Sequence, residues 1–174
     1  MLTIYLEIFG DISKLSSLDR EPIYDPKYDD MGSIIQDLCT ALSDAGIAKF
    51  VVSGFGQDRW PVDINYDLPS VLEQIPEVLQ AIANKSYPTE LYFYEQGIER
   101  NLIIEGKNKM HIIKCISGTN WSPKPDQISM PNEHMLKQLL KLTQIFTETV
   151  YLGLPKLSNH LLFKEWVSAC SIGG

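Results

Sequence analysis

His111, His134 and His160 are the side chains best suited to bind a metal or to move a proton, and they fall in three separate segments. None stands in a known ligand pattern with a second His, Cys or carboxylate; Glu133-His134 lacks the second histidine of an HExxH helix. Gly54-Phe55-Gly56 follows an apolar stretch, but it has no third glycine, no Lys-Ser/Thr pair and no helix whose amides would cradle a phosphate. It reads as a hairpin turn. No GxSxG elbow is present, and Cys115 with His134 could form a nucleophile and base only by tertiary convergence. Adjacent acids such as Asp29 and Asp30 could do acid–base work in a cleft, but on a loop they read as exposed. The expectation is a chain with no catalytic residue, no cofactor and no metal, hence not an enzyme. The purified protein should carry no stoichiometric metal or nucleotide.

Charge is more informative. The chain of 174 residues has 15 Lys+Arg against 22 Asp+Glu and a formal net charge of -7. Residues 1–87 hold 14 acids and 6 bases, and residues 88–174 hold 8 and 9, so the whole acidic excess lies in the first half. Its densest run is Asp19, Glu21, Asp25, Asp29 and Asp30; a second set is Asp58, Asp63 and Asp67. Such a field repels nucleic acid and anionic membrane and attracts a basic protein.

Aromatic residues add a second candidate surface. Tyr92 and Tyr94 alternate along one face of a strand, while Phe93 takes the other. Stacking nucleic acid on them would require basic neighbours that an acidic molecule does not supply. Trp121, in a Pro-rich loop, is expected to be exposed and suited to protein contact; Trp60 and Trp166 fit core periodicity. The candidate partner-binding residues are therefore Asp25, Asp29, Asp30, Asp58, Asp63, Tyr92, Tyr94 and Trp121. Because Asp25, Asp29 and Asp30 fall on a loop, reversing their charge is expected to leave the fold intact.

Cys39, Cys115 and Cys170 are odd in number and flanked by apolar residues, which reads as three reduced thiols in the core. Met1–Phe9 has no basic leader and is broken by Glu7, and no run approaches the ~18 apolar residues that cross a bilayer. Cytoplasm is the expected compartment. The final Gly173-Gly174 matches the end of ubiquitin-like modifiers, but the order of elements does not.

Those elements follow from periodicity. Met1–Phe9 alternates as a strand, and residues 10–30 form a long acidic surface loop. Met31, Ile34, Ile35, Leu38, Leu42 and Ala45 recur at helical spacing, with Asp29 or Asp30 as cap and Gly46 as stop. Ala48–Phe55 and Trp60–Tyr66 read as two strands joined by a turn. Ser70 and Glu73 could form a capping box for a helix over 69–84, kinked or divided at Pro76. Thr89–Glu95, Glu99–Glu105 and Lys109–Ser117 form a meander, and 118–130 is a loop. A long helix begins near Pro131, and Ser158 caps a last one. The fold class is α+β, a single domain over 1–174. A largely antiparallel sheet of five to six strands packs against about four helices.

Taken together, the small acidic character, Trp121-Ser122-Pro123, the helix after it and the stretch Leu157-Ser158-Asn159-His160-Leu161-Leu162-Phe163-Lys164-Glu165-Trp166 define a profile. It resembles the immunity proteins of bacterial polymorphic toxin systems, including contact-dependent growth inhibition. The resemblance implies an inhibitor that binds and neutralises a cognate toxin domain, usually a nuclease. Nucleases bind phosphates and are commonly basic, so an acidic inhibitor gains association rate. Two other classes stand beside it: a small cytosolic enzyme whose site forms only by convergence, and an adaptor or subunit without a toxin partner.

Overall fold

Leu2, Ile4 and Leu6 are buried and alternate with outward Thr3, Tyr5 and Glu7, which makes Thr3–Ile8 strand β1. The structure, a computed structural model, describes residues 1–171; the Gly173-Gly174 pair lies outside the described residues. Helix α1 (Met31–Ala45) begins at a full capping box. The Asp30 carboxylate accepts from the Gly32 and Ser33 amides, the Ser33 hydroxyl accepts from the Asp30 amide, and Gly46 ends the helix at φ 60°. Strand β2 (Ala48–Ser53) returns antiparallel to β1, with Thr3 opposite Ser53 and Ile8 opposite Ala48.

Residues 60–66 do not form the expected strand. Trp60 donates one hydrogen bond to the Val52 carbonyl (2.8 Å), Pro61 has no N–H to continue the ladder, and a turn at 64–66 leads into α2. The alternation recorded burial of Trp60 and Ile64 without pairing.

Helix α2 (Asp67–Asn84) starts two residues earlier than the expected box, and neither Ser70 nor Glu73 caps it. It runs through Pro76 as one element. Pro76 cannot donate to the Leu72 carbonyl one turn back, and the Trp166 indole N–H takes that place at 2.9 Å.

The meander is present as β3 (Thr89–Phe93), β4 (Arg100–Lys107) and β5 (Met110–Ser117). A fourth strand, β6 (Gln127–Pro131), lies in the segment expected to be a loop and pairs with β5, His111 opposite Met130. The order is β3-β4-β5-β6, all antiparallel, separate from the β1-β2 pair. The chain therefore holds a two-stranded and a four-stranded sheet in one α+β domain.

Helix α3 (Asn132–Gly153) is followed by a short α4 (Pro155–Ser158) and by α5 (Leu161–Ala169). Ser158 belongs to α4; the cap of α5 is His160, whose Nδ1 accepts from the Leu162 amide. Leu2, Ile35, Leu38, Phe50, Leu72, Phe93, Leu139, Phe146 and Trp166 lie in one continuous core between sheets and helices. Residues 10–30 hold a 3-10 helix, Ile12–Ser17, whose Leu15 is buried, and Asp19 accepts from the Lys156 and Leu157 amides at the start of α4. Among the described residues no helix is long and apolar enough to cross a membrane.

Candidate functional site

The Gln74 side chain fixes the edge of β3 on α2: its Oε1 accepts from the Tyr92 amide at 2.8 Å and its amide donates to the Tyr92 carbonyl at 2.7 Å. That clamp sets Tyr92 and Tyr94 side by side, ring centroids 6.1 Å apart and each over 40% exposed. The Tyr94 hydroxyl donates to Glu73 Oε2 at 3.2 Å.

On the far side of Glu95 the chain between β2 and α2 is tied by its own carboxylates. Asp67 Oδ2 accepts from the Asp63 amide and Asp63 Oδ1 accepts from the Tyr66 amide, both at 2.8 Å. A cavity of about 280 Å³ opens here, lined by Pro61, Asp63, Tyr66, Asp67, Glu95, Gln96 and Ile98. Asp67 is 4% exposed, and its Oδ1 has no hydrogen-bond donor.

The titration shifts show which acids feel one another. Asp67 is pushed up to about 6, first by burial and then by the charges of Asp63 and Glu95, against the lowering effect of the Asp63 amide. Glu73 is raised by burial and by Asp30 and Glu95, with the Tyr94 hydroxyl opposing. Tyr94 is pushed up to about 12 by burial and by the Glu73 charge. Asp30, Glu73, Glu95, Asp67 and Asp63 thus form one acidic belt, in which Asp30 and Glu95 oppose the ionisation of Glu73, and Asp63 and Glu95 that of Asp67. Next to it, Asp30, Gly32, Ser33, Glu73 and Trp166 line an open hollow of about 520 Å³. Among the described residues the one ion pair is Arg20 with Asp37, at 2.9 Å; no base neutralises the belt.

Of the residues expected from sequence, Asp30, Asp63, Tyr92 and Tyr94 come together on this face. Asp29 and Asp25 continue from Asp30 but hold the loop: Asp29 Oδ2 accepts from the Asp25 amide (2.7 Å) and Asp25 Oδ1 from the Lys27 amide (2.8 Å). With Asp30 capping α1, these three acids shape the backbone, so reversing their charge also removes a cap and two loop bonds. Asp58 is exposed in the turn after β2, beside Gln57 rather than on the belt.

Trp121 is half-buried, not a free contact residue. Its ring centroid lies 3.5 Å from the Arg100 guanidinium carbon, and that of Trp60 lies 4.3 Å from the same group, the two indoles meeting edge to face at 6.2 Å. Arg100 is 2% exposed, donates to Gln57 Oε1 at 2.7 Å, and is lowered to about 10 by burial.

Glu73, Glu95 and Asp67 of the belt, and Tyr66 of the cavity beside it, lie outside the expected set. Asp67 stood in the second acidic run, and Glu73 was assigned to a cap. Glu95 and Tyr66 carry no local signal, because only the packing of α2 against β3 brings them together. The histidines stay apart: His111 is buried and bonded to the Tyr87 hydroxyl (2.8 Å), His134 is exposed on the first turn of α3, and His160 caps α5. All three cysteines are buried and unpaired, with Cys115 pushed up to about 11 and Cys170 to about 12 by burial. Among the described residues no group of three or more His, Cys, Asp or Glu is arranged to hold a metal ion. No protein-family model, curated protein or solved structure matches the chain.

Proposed function

We propose that the protein is a binding module for a basic protein partner, engaged through the acidic belt and its tyrosines. In this reading it is a bacterial immunity protein that neutralises a cognate toxin domain, a basic nuclease, in the cytoplasm. The observation that carries the reading is a run of five linked carboxylates, none of them in an ion pair among the described residues. The like charges around Asp67 and Glu73 cost the free protein electrostatic energy that a cationic partner removes, and the same field accelerates encounter. Tyr66, Tyr92 and Tyr94 supply exposed rings with polar tips, the residue type favoured where one protein grips another. Three unpaired buried thiols suit a reducing compartment.

The test is to mix the chain with the toxin domain encoded beside it, at low salt. The expected result is a stoichiometric complex and loss of nuclease activity. A toxin domain that neither binds nor loses activity overturns the reading. An adaptor would use the same face for a non-toxic partner. An enzyme has one observation in its favour: a carboxyl at about 6 in a cavity suits general acid–base chemistry.

A further inference from the structure

The carboxylates of the belt are not equally placed. Asp30 caps α1 at the surface and Glu73 already accepts a tyrosine hydroxyl, so both are partly satisfied. Asp67 is different: a carboxylate more than nine-tenths buried, lining a cavity, with one oxygen bonded to a backbone amide and the other without any donor. Burying an ionised carboxylate is tolerated when a cation or several donors reach it. Here the groups that face Asp67 are Asp63, from the segment before α2, and Glu95, from the bend after β3; both are negative and both oppose its ionisation.

We infer that this cavity is a socket for a guanidinium group carried on an arginine of the partner. A cavity of about 280 Å³ has room for one such side chain. Pro61, Ile98 and the Tyr66 ring supply apolar wall for an aliphatic stem, and Asp63, Asp67 and Glu95 line the same cavity, an acidic setting for a planar head with five N–H donors. A guanidinium can donate to Glu95 and Asp63, the accessible carboxylates of the cavity, while its charge offsets that of the buried Asp67. It also keeps its charge at any working pH, whereas an ammonium is a compact point charge that gives up hydration less readily. The inference rests on the basic-partner reading and narrows it to a named contact.

The probe is N-acetyl-arginine amide, titrated into the 15N-labelled chain and followed by amide chemical shifts. The expected result is a saturable shift confined to residues 61–67 and 95–98. It should be at least threefold weaker at pH 5 than at pH 7.5, as Asp67 takes up a proton, and lost in Asp67→Asn. Glu95→Gln, at the rim of the cavity, should weaken it severalfold while leaving the spectrum elsewhere unchanged, which separates loss of the socket from loss of the fold. Shifts that never saturate, or that spread over all exposed acids, overturn the inference. So does calcium chloride saturating the same residues more tightly than the arginine amide, which would make the cavity a metal site. If the toxin domain binds and ignores Asp67→Asn, the socket falls while the belt stands; if the socket binds the probe but no basic domain binds the chain, the function falls while the socket stands.

Discussion

Asp67 sits in the first turn of α2 with a carboxylate that burial and two like charges keep near a pKa of 6. The unfolded chain releases that proton near 3.8, so between these values the folded state holds a proton that the unfolded state has lost. Stability contributed by this group therefore falls as pH rises through that window, and the full deficit stands above it. Asp67→Asn removes the deficit and can keep its oxygen on the Asp63 amide. The variant should be more stable than the parent at pH 8 by about 1–3 kcal/mol, with the gap closing toward pH 4, by urea denaturation at both values. A variant equally stable at pH 8 contradicts the burial of an unpaired charge. Arg100 is the mirror case, a buried cation whose partners are Trp60, Trp121 and a glutamine rather than an acid. Trp121→Ala strips one face from it and should cost about 2 kcal/mol, while Trp121→Phe should lose much less. Equal losses would contradict the stacking role, because phenylalanine keeps an aromatic face for the guanidinium.

Several elements owe their edges to side chains from elsewhere. Gln74 pairs with both backbone groups of Tyr92, and Gln138 of α3 does the same for β1, accepting from the Ile4 amide and donating to the Leu2 carbonyl. Each glutamine blunts a strand edge that would otherwise offer free ladder groups. Gln74→Ala should therefore cost about 1–2 kcal/mol and expose the Tyr92 amide to exchange, which hydrogen exchange resolves residue by residue. An unprotected amide in the parent protein would contradict the clamp. Trp166 does similar work for α2, and Trp166→Phe leaves the Leu72 carbonyl without its donor at a cost of about 1–3 kcal/mol by denaturant titration. These dependencies explain what the sequence could disclose. The α1 stripe and its Asp30 and Gly46 ends are local signals, as are the β3–β5 alternation and turns, and both were legible. Trp60 to Tyr66 misled because burial alternated where Pro61 forbade pairing. β6 stayed hidden because five residues between prolines and serines acquire their strand character only from β5.

Across the whole molecule, the acidic first half was legible from composition, and so was the sharing of one exposed face by Tyr92 and Tyr94. The joining of Asp30, Glu73, Glu95, Asp67 and Asp63 was not, because it depends on α2 lying along β3 and on a turn that sequence assigned to a strand. The correction changes which residues report on function. Reversing Asp25, Asp29 and Asp30 would disturb a cap and two loop bonds along with the field, and a lost cap alone costs about 1 kcal/mol. Glu73 and Glu95 make no bond to the backbone and carry the belt's charge without that ambiguity. The decisive measurement is the stopped-flow association rate of the proposed basic partner domain with the double variant Glu73→Lys, Glu95→Lys. Its control is Glu105→Lys, Glu148→Lys, which makes the same change in net charge on other surfaces. The belt variant should associate at least about tenfold more slowly at low salt, with the difference shrinking as salt screens charges beyond ~8 Å, and the control should change far less. Equal slowing by both pairs, or rates indifferent to salt, would contradict the claim that this face receives a basic partner.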